Sequence, residues 1–425
     1  MKNRVVITGL GVVAPNAAGI ESFNEAIQQG VSGIRFYQEL EDLHFSCCIG
    51  GIPPVTDEMA QKYLTPLQLK NFNSSGILYG CMAGMDAWTD ARLPVAASET
   101  PDWDSGTIFG TGISGVEKFR ESIYKIDDKK VRKLGSTAVL QTMASGVSAY
   151  LSGILGLGNL VTSNSSACCT GTESILMGFE RVQSGKAKRM LVGGCSDHGP
   201  YIWGGFDAMK VITYKHNGEP EKASRPMSAS ASGFVPGSGA GAMVLETLAS
   251  AVERGADIYA EILGGASNAG GQRGTGTMTA PNAEAVQRCI KAAMADAGIQ
   301  SADIDLINGH LTATVKDGME IQNWALALDR KGKDFPFIHS LKSMIGHCLG
   351  AAGAIETVAA VLCLKHGSIF PSINCEDIHP DICEIIAAEK IPQQLIKWDN
   401  LEVIAKASFG FGDVNSCIIL KKYTA

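Results

Sequence analysis

Short runs of β-branched and small apolar residues alternate along this chain with longer stretches whose apolar positions recur at three- and four-residue spacing. The runs Val5–Thr8, Thr107–Gly110, Met190–Gly193, Ala242–Leu245, Ile258–Leu263, Leu306–Asn308 and Cys417–Leu420 predict strands. The stretches Ser22–Gln29, Phe72–Thr89, Thr172–Gln183, Ala283–Ala297, Gly318–Leu328 and Ala354–Lys365 predict helices. Strand and helix alternating in this way indicate an α/β protein with helices packed on sheets. Each half of the chain opens on a β-branched strand that runs into glycines, and each closes on a pair of strands. The first closing pair is Met190–Ser196 with Ala240–Glu246, the second Val403–Phe411 with Cys417–Leu420. The chain therefore divides into two similar α/β halves, residues 1–250 and 251–425.

Composition narrows the class. Of 425 residues, 45% are hydrophobic and 19% charged, so a large core is expected and extensive disorder is not. The 49 glycines fall in short motifs, which suits tight turns and close backbone approach. A net charge of -7 argues against a nucleic-acid partner. Twelve cysteines without a regular framework read as reduced thiols, hence a cytoplasmic enzyme. No signal peptide and no bilayer-spanning segment is expected. Cys375, His379 and Cys383 have no zinc-site spacing, and Pro380 interrupts them, so no metal is expected there.

Chemistry is suggested first by Cys168, in Ser166-Ala167-Cys168-Cys169-Thr170-Gly171, where a strand-like stretch gives way to a helix. A helix N-terminus favours thiolate over thiol, and small neighbours admit a substrate. A cysteine alone is more often simply buried. Two later motifs change that balance: Asn308-Gly309-His310-Leu311-Thr312-Ala313-Thr314, and Leu341-Lys342-Ser343-Met344-Ile345-Gly346-His347 leading through Gly350 to Glu356. Two of only eight histidines thus lie in glycine-bracketed turns. A cysteine, two histidines and a lysine suit nucleophilic acyl chemistry, the histidine pair providing donors to one developing oxyanion.

These motifs, in this order, resemble the β-ketoacyl-acyl-carrier-protein synthase family, the elongating condensing enzymes of the thiolase superfamily. The resemblance runs from Arg4-Val5-Val6-Ile7-Thr8-Gly9 through Gly110-Thr111-Gly112-Ile113-Ser114-Gly115 and Arg225-Pro226 to Ser408-Phe409-Gly410-Phe411-Gly412. It implies a thiolase-like fold, two duplicated α/β halves forming a layered αβαβα core. It also implies a 3-oxoacyl-[acyl-carrier-protein] synthase that extends an acyl chain by decarboxylative condensation with malonyl-carrier. Cys168 would hold the acyl group, with the N–H groups of Cys168 and Phe409 as oxyanion donors and Phe409 as gate. His310 and His347 would stabilise the enolate, and Lys342 would support them by pairing with Glu356. Thr312, Thr314 and Thr279 would contact the phosphopantetheine arm, and Ile113 would floor the acyl pocket. No cofactor is implied, because the arm arrives on the carrier. The basic run Lys129-Lys130-Val131-Arg132-Lys133 would dock that acidic carrier, although such runs are also common on solvated loops. A homodimer is implied, with a heterodimer as the alternative.

The sequence also departs from the family pattern. Leu311 follows the first histidine where glycine is usual, and the stretch to Asp317 is one residue short. Met227-Ser228-Ala229-Ser230-Ala231-Ser232 is stripped of charge, Ser238 replaces an acid, and Asp413-Val414 replace Gly-Thr. None touches the Cys-His-His set. They introduce a second reading, a ketosynthase of a specialised aryl-polyene or polyketide pathway acting with a partner subunit.

Overall fold

The computed structural model describes residues 2–70, 72–97 and 99–424. Its main sheet contains ten principal strands: β1 (Val5–Ala14), β2 (Ser105–Thr111), β3 (Val161–Thr162), β4 (Arg189–Ser196), β5 (Gly239–Thr247), β6 (Ala260–Ala269), β7 (Leu306–Asn308), β8 (Phe337–His339), β9 (Val403–Gly410) and β10 (Val414–Lys422). The helices that matter for the site are α1 (Ser75–Asp90), α2 (Val116–Asp127), α3 (Gly146–Leu155), α4 (Thr170–Gln183), α5 (Ala283–Ala297), α6 (Asp317–Leu328), α7 (Lys342–Ile345) and α8 (Ala352–His366). Every strand and helix expected from periodicity is present, with ends shifted by a few residues: the helix expected from Phe72 begins at Ser75, and the strand expected from Ile258 begins at Ala260.

The strand order is β8-β7-β9-β10-β6-β1-β5-β4-β2-β3. The centre is an antiparallel pairing of Val5–Ile7 with Ala260–Ile262. Outward from it, each side repeats one pattern: two antiparallel pairings, then two parallel ones. On one side these are β1–β5, β5–β4, β4–β2 and β2–β3. On the other they are β6–β10, β10–β9, β9–β7 and β7–β8. The two anticipated closing pairs are β4 with β5 and β9 with β10.

Helices α4 and α8 pack on each other and touch strands of both sides, so they form the middle layer. Helix α1 covers the outer face of β1, β5 and β4, while α5 covers β6 and β10 with α6 beside it. The result is five layers, alternating helix and sheet. Burial explains why the central strands read as nearly continuous apolar runs: β1 and β5 are buried along their whole lengths. Helix α8 is buried from Ala352 to Leu364 and is apolar all round. The segment Leu349–His366 is thus long and apolar enough to cross a bilayer, contrary to expectation, but here it is the central helix of the core.

The two middle-layer helices meet through glycines. A Cβ on Gly171 would lie 2.5 Å from the Ala354 nitrogen, and one on Gly353 would lie 2.2 Å from Thr172 Oγ1. Neither neighbour can retreat, because Thr172 is itself hydrogen-bonded to Ser408, at 2.8 Å between hydroxyl oxygens. This approach matters for function because Cys168 precedes α4 directly. We expect Gly353→Val to lower stability by about 1–3 kcal/mol through overpacking. Urea unfolding would show it as a lower midpoint at constant slope; an unchanged midpoint would refute close helix contact here.

Candidate active site

The reactive residues converge where β7 and β9 end and α4 begins. Cys168 lies in a single 3-10 turn, Ala167–Cys169, immediately before α4. Ala167 has a φ of 48°, a left-handed conformation that costs a non-glycine residue strain and makes the chain turn sharply at the thiol. His310 follows β7 by two residues, and His347 follows α7 and Gly346, whose φ is 67°. The Cys168 sulfur and a ring nitrogen from each histidine all fall within 4.8 Å of one another. His347 Nε2 is 3.1 Å from Cys168 Sγ, and the imidazoles meet edge to face with centroids 5.4 Å apart.

All three open onto one cavity of about 380 Å3. Thr312, Thr314, Thr279 and Phe409 line it too, so the structure gathers most of the residues singled out from the sequence. The hydroxyls of Thr312 and Thr314 lie 3.2 Å apart. Phe206, Phe234 and Phe411 make an aromatic wall, with Phe206 5.6 Å from Phe234 and 6.2 Å from Phe411 between centroids.

Two expectations are corrected here. The backbone N–H groups acting on the Cys168 sulfur are those of Phe411 and of Cys168 itself, not that of Phe409. Phe409 lies inside β9, paired with Asn415, whereas the ladder ends at Gly410 and Phe411 occupies the free turn beyond. Phe409 instead sets its ring edge-on to His310, at 6.2 Å. Gly410 between them must remain glycine, since a Cβ there would lie 3.2 Å from the Cys168 nitrogen. Ile113 does not line the cavity; it is 44% exposed, at the start of a surface that also exposes Phe119, Ile123 and Tyr124 of α2.

The basic run lies elsewhere. Lys129, Lys130, Arg132 and Lys133 are exposed around the turn after α2, and Lys130 pairs with Asp128 at 2.7 Å. The trio Cys375, His379 and Cys383 is not assembled: Cys375 is buried and donates to the Ser372 carbonyl, while Cys383 is exposed. All twelve cysteines are free thiols.

Electrostatics keep the resting site neutral. Burial raises the Cys168 thiol above its ordinary value, outweighing the Phe411 N–H and the Lys342 charge, which pull it down. Burial thus opposes the thiolate that the helix N-terminus favours. Burial also drives both imidazoles well below the ordinary histidine value, with the Lys342 and Lys406 charges adding to it.

Lys342 pairs with Glu356 as anticipated, but the glutamate also holds a second lysine that sequence reasoning missed. Lys406 Nζ lies 2.7 Å from Glu356 Oε2. A lone lysine in the apolar run Val403–Ser408 was the available signal.

Two carboxylates were missed as well. Glu320 accepts the N–H groups of His310 at 2.7 Å and Leu311 at 2.8 Å. Asp317 accepts those of Thr312 at 3.0 Å, Ala313 at 3.1 Å and Met227 at 2.8 Å. Together they fold the His310 loop into left-handed turns at Leu311 and Ala313, with φ of 22° and 63°. The residue replacing the usual glycine, Leu311, is fully buried against α6 and its neighbours. Asp413 plays a similar part: it accepts Gln272 N–H at 2.9 Å and Asn282 N–H at 2.7 Å, tying the Thr279 loop to the Phe411 turn.

The chemistry of the set is nucleophilic acyl transfer: a thiol, two neutral imidazoles and two backbone donors around one cavity. Residues 2–251 match the family described as beta-ketoacyl synthase, N-terminal domain, and residues 259–376 match its C-terminal domain. The chain belongs to the beta-ketoacyl synthase family, and its fold is that of the thiolase-like ketosynthases. It is 32% identical to 3-oxoacyl-[acyl-carrier-protein] synthase 2 of Vibrio cholerae over 99% of both chains. It is 34% identical, again over 99% of both, to 3-oxoacyl-[acyl-carrier-protein] synthase 1 of Escherichia coli K12. Among solved structures, a beta-ketoacyl synthase from Burkholderia phymatum superimposes with a TM-score of 0.89 at 27% identity over both full chains. A complex of a type II polyketide acyl-carrier protein with its ketosynthase bound to the hexaketide contains a chain matching at 0.87 and 27%, also in full.

Burial lifts the Glu320 carboxyl from 4.5 to about 7. Its folded form thus holds a proton more tightly than its unfolded form. The stabilisation is complete below about pH 4.5 and disappears as pH rises through 7. Asp317, raised from 3.8 to about 6, acts in the same direction. We expect Glu320→Gln to flatten the fall in unfolding free energy between pH 5 and pH 8 by about 1–3 kcal/mol. Denaturant titrations at several pH values check this; an equally steep fall in the variant would locate the cause elsewhere.

Proposed function

We propose that the protein is a 3-oxoacyl-[acyl-carrier-protein] synthase, an acyltransferase that joins an acyl group held on Cys168 to a malonyl unit delivered on a carrier protein. The observation carrying this reading is the convergence of Cys168 Sγ, His310 and His347 within 4.8 Å on one cavity. In the first half-reaction Cys168 attacks the acyl thioester as its proton passes to the departing pantetheine sulfur by way of His347 Nε2, 3.1 Å away, without a standing thiolate–imidazolium pair. The N–H groups of Cys168 and Phe411 hold the oxyanion. In the second, malonyl thioester loses carbon dioxide, and its electron pair forms an enolate whose oxygen accepts hydrogen bonds from His310 and His347. The carbanion attacks the acyl-Cys168 carbonyl, a carbon–carbon bond replaces the carbon–sulfur bond, and the departing Cys168 thiolate takes up one proton from solvent to regenerate the thiol. Neutral imidazoles suit this task, since the enolate needs N–H donors and neither ring has to give up its proton.

Thr312, Thr314 and Thr279 flank the approach for the phosphopantetheine arm, so no bound cofactor is required. The carrier is the partner this reading needs, as in the solved complex of a ketosynthase with its acyl-carrier protein. Lys129, Lys130, Arg132 and Lys133 offer complementary charge to an acidic carrier. The exposed apolar face of α2 with Ile113 supports a dimer, either of two copies or with a related subunit. Residues 1–250 and 251–425 form the two halves of the duplicated unit. A cytoplasmic setting fits twelve free thiols.

A second reading, a ketosynthase of a polyketide or aryl-polyene pathway, is favoured by the structural likeness to the ishigamide ketosynthase/chain length factor, with a TM-score of 0.88 at 25% identity. Mass spectrometry of the protein after incubation with malonyl-carrier and a panel of acyl-carriers separates the two. An adduct on Cys168 with saturated chains and a product two carbons longer supports elongation. Adducts restricted to unsaturated or aryl primers support the second reading, and no adduct with any primer rejects both. We expect Cys168→Ser to lose the adduct. His310→Ala and His347→Ala should each slow malonyl decarboxylation by about 100- to 1,000-fold.

A further inference from the structure

Behind the reacting atoms lies a buried cluster of three charges: Lys342 at the start of α7, Glu356 in α8 and Lys406 in β9. Each side chain is at most 1% exposed. Lys406 Nζ has acceptors for all three of its protons: Glu356 Oε2 at 2.7 Å, the Ala407 carbonyl at 2.5 Å and Ser408 Oγ at 2.9 Å. The Glu356 carboxylate and the Ala407 carbonyl can only accept, which suits an ammonium, and the Glu356 charge supports it against burial, which draws Lys406 below the ordinary lysine value. Two ammonium groups on one carboxylate leave the cluster with a net charge of +1, enclosed in apolar core where screening is weak.

This positive charge faces the reactive groups on several elements. His310 and His347 both feel Lys342 and Lys406, and His310 also feels His347. Cys168 feels Lys342 and Glu356. On the other side of His310, Glu320 is near neutral pH in its titration and is occupied by two backbone N–H groups. Lys406 also contacts the scaffold: Ser408 Oγ is 2.8 Å from Thr172 Oγ1, and the Ser408 carbonyl accepts Cys169 Sγ–H at 3.2 Å, one residue from the nucleophile.

We propose that Lys406 is a positioning residue for the condensation, supplying the unbalanced buried positive charge that keeps His310 and His347 neutral N–H donors and favours negative charge at the thiol and enolate. Lys342 alone would only neutralise Glu356; the second lysine makes the field. Its use in catalysis rests on the condensing activity proposed above, but the charge on the imidazoles does not. Pairwise substitution separates charge from contact. Lys406→Met brings the cluster to zero, Glu356→Gln brings it to +2, and Lys406→Met/Glu356→Gln restores +1 with neither original contact.

The test titrates His310 and His347 by NMR in histidine-labelled protein, with resonances assigned from His310→Asn and His347→Asn. Removing a positive charge must raise an imidazole's midpoint. We expect Lys406→Met to move both midpoints upward by about one pH unit, a tenfold change in ionisation ratio. The double variant should bring them back, and Glu356→Gln should lower them further. If Lys406→Met does not fold, Glu356→Gln against the double variant gives the same sign comparison. Unmoved midpoints in folded variants, or a double variant that fails to restore them, would overturn the proposal in favour of a structural lysine. The acid limb of malonyl-carrier decarboxylation is read alongside and should rise with the midpoints. Midpoints that shift as expected in a protein whose unaltered form does not decarboxylate malonyl-carrier would support the field and reject the condensing activity.

Discussion

The Glu356 carboxylate holds the middle of this molecule together. It projects from α8, the central helix, and binds one lysine from the α7 turn and another from β9. The first lysine lies five residues before His347, and the second lies five residues before Phe411. One carboxylate therefore fixes the relative position of an imidazole and an oxyanion donor that are far apart in sequence. Ions buried this deeply are expensive unless paired and hydrogen-bonded, and losing one partner strands the others. That cost is also a constraint on geometry: the three elements that carry the site cannot slide independently without unpairing a buried charge.

Much of the fold was legible because burial is encoded locally. The nearly continuous apolar runs of β1 and β5 and the apolar length of α8 show which elements are covered on both faces. The N-terminus of α5 was legible for another reason: Asn282 caps it by accepting the Ala285 N–H, and Gly298 closes it in a left-handed turn. Cys168, His310 and His347 stood out because each lies in a run of small residues or glycines at the junction of a strand or turn with a helix.

What stayed hidden depends on registers and partners that no local pattern records. In Phe409-Gly410-Phe411 the two rings are equivalent by sequence. Only the end of the β9–β10 ladder at Gly410 separates Phe409, inside the strand, from Phe411, in the turn whose N–H acts on the sulfur. Lys406 resembles any lysine in a strand until β9 is seen to lie in the middle of the sheet, where it has nowhere to snorkel. Glu320 and Asp317 look like ordinary first-turn acids of α6, at ends where carboxylates are common. Their use as acceptors for the His310 loop appears only when that loop folds back over the helix. Ile113 shows the opposite limit: a glycine-flanked isoleucine reads as a pocket residue, yet it lies exposed on the surface.

The protonation states bind these features into one argument. A cysteine hydrolase raises its nucleophile by forming a thiolate–imidazolium pair, which needs a polar surround and a base of near-neutral pKa. Here burial opposes charge on the thiol and on both imidazoles alike, so the pair would carry a double desolvation cost. The same burial is an advantage for enolate chemistry. Neutral imidazoles donate without surrendering a proton, and a dry site discourages water from competing for the acyl-thioester. The negative charge that appears on the thiolate, the oxyanion or the enolate then meets donors already in place and a positive cluster already buried. The fixed cost of holding two lysines on one carboxylate is met during folding, so the field is present before substrate arrives and needs no reorganisation when charge develops.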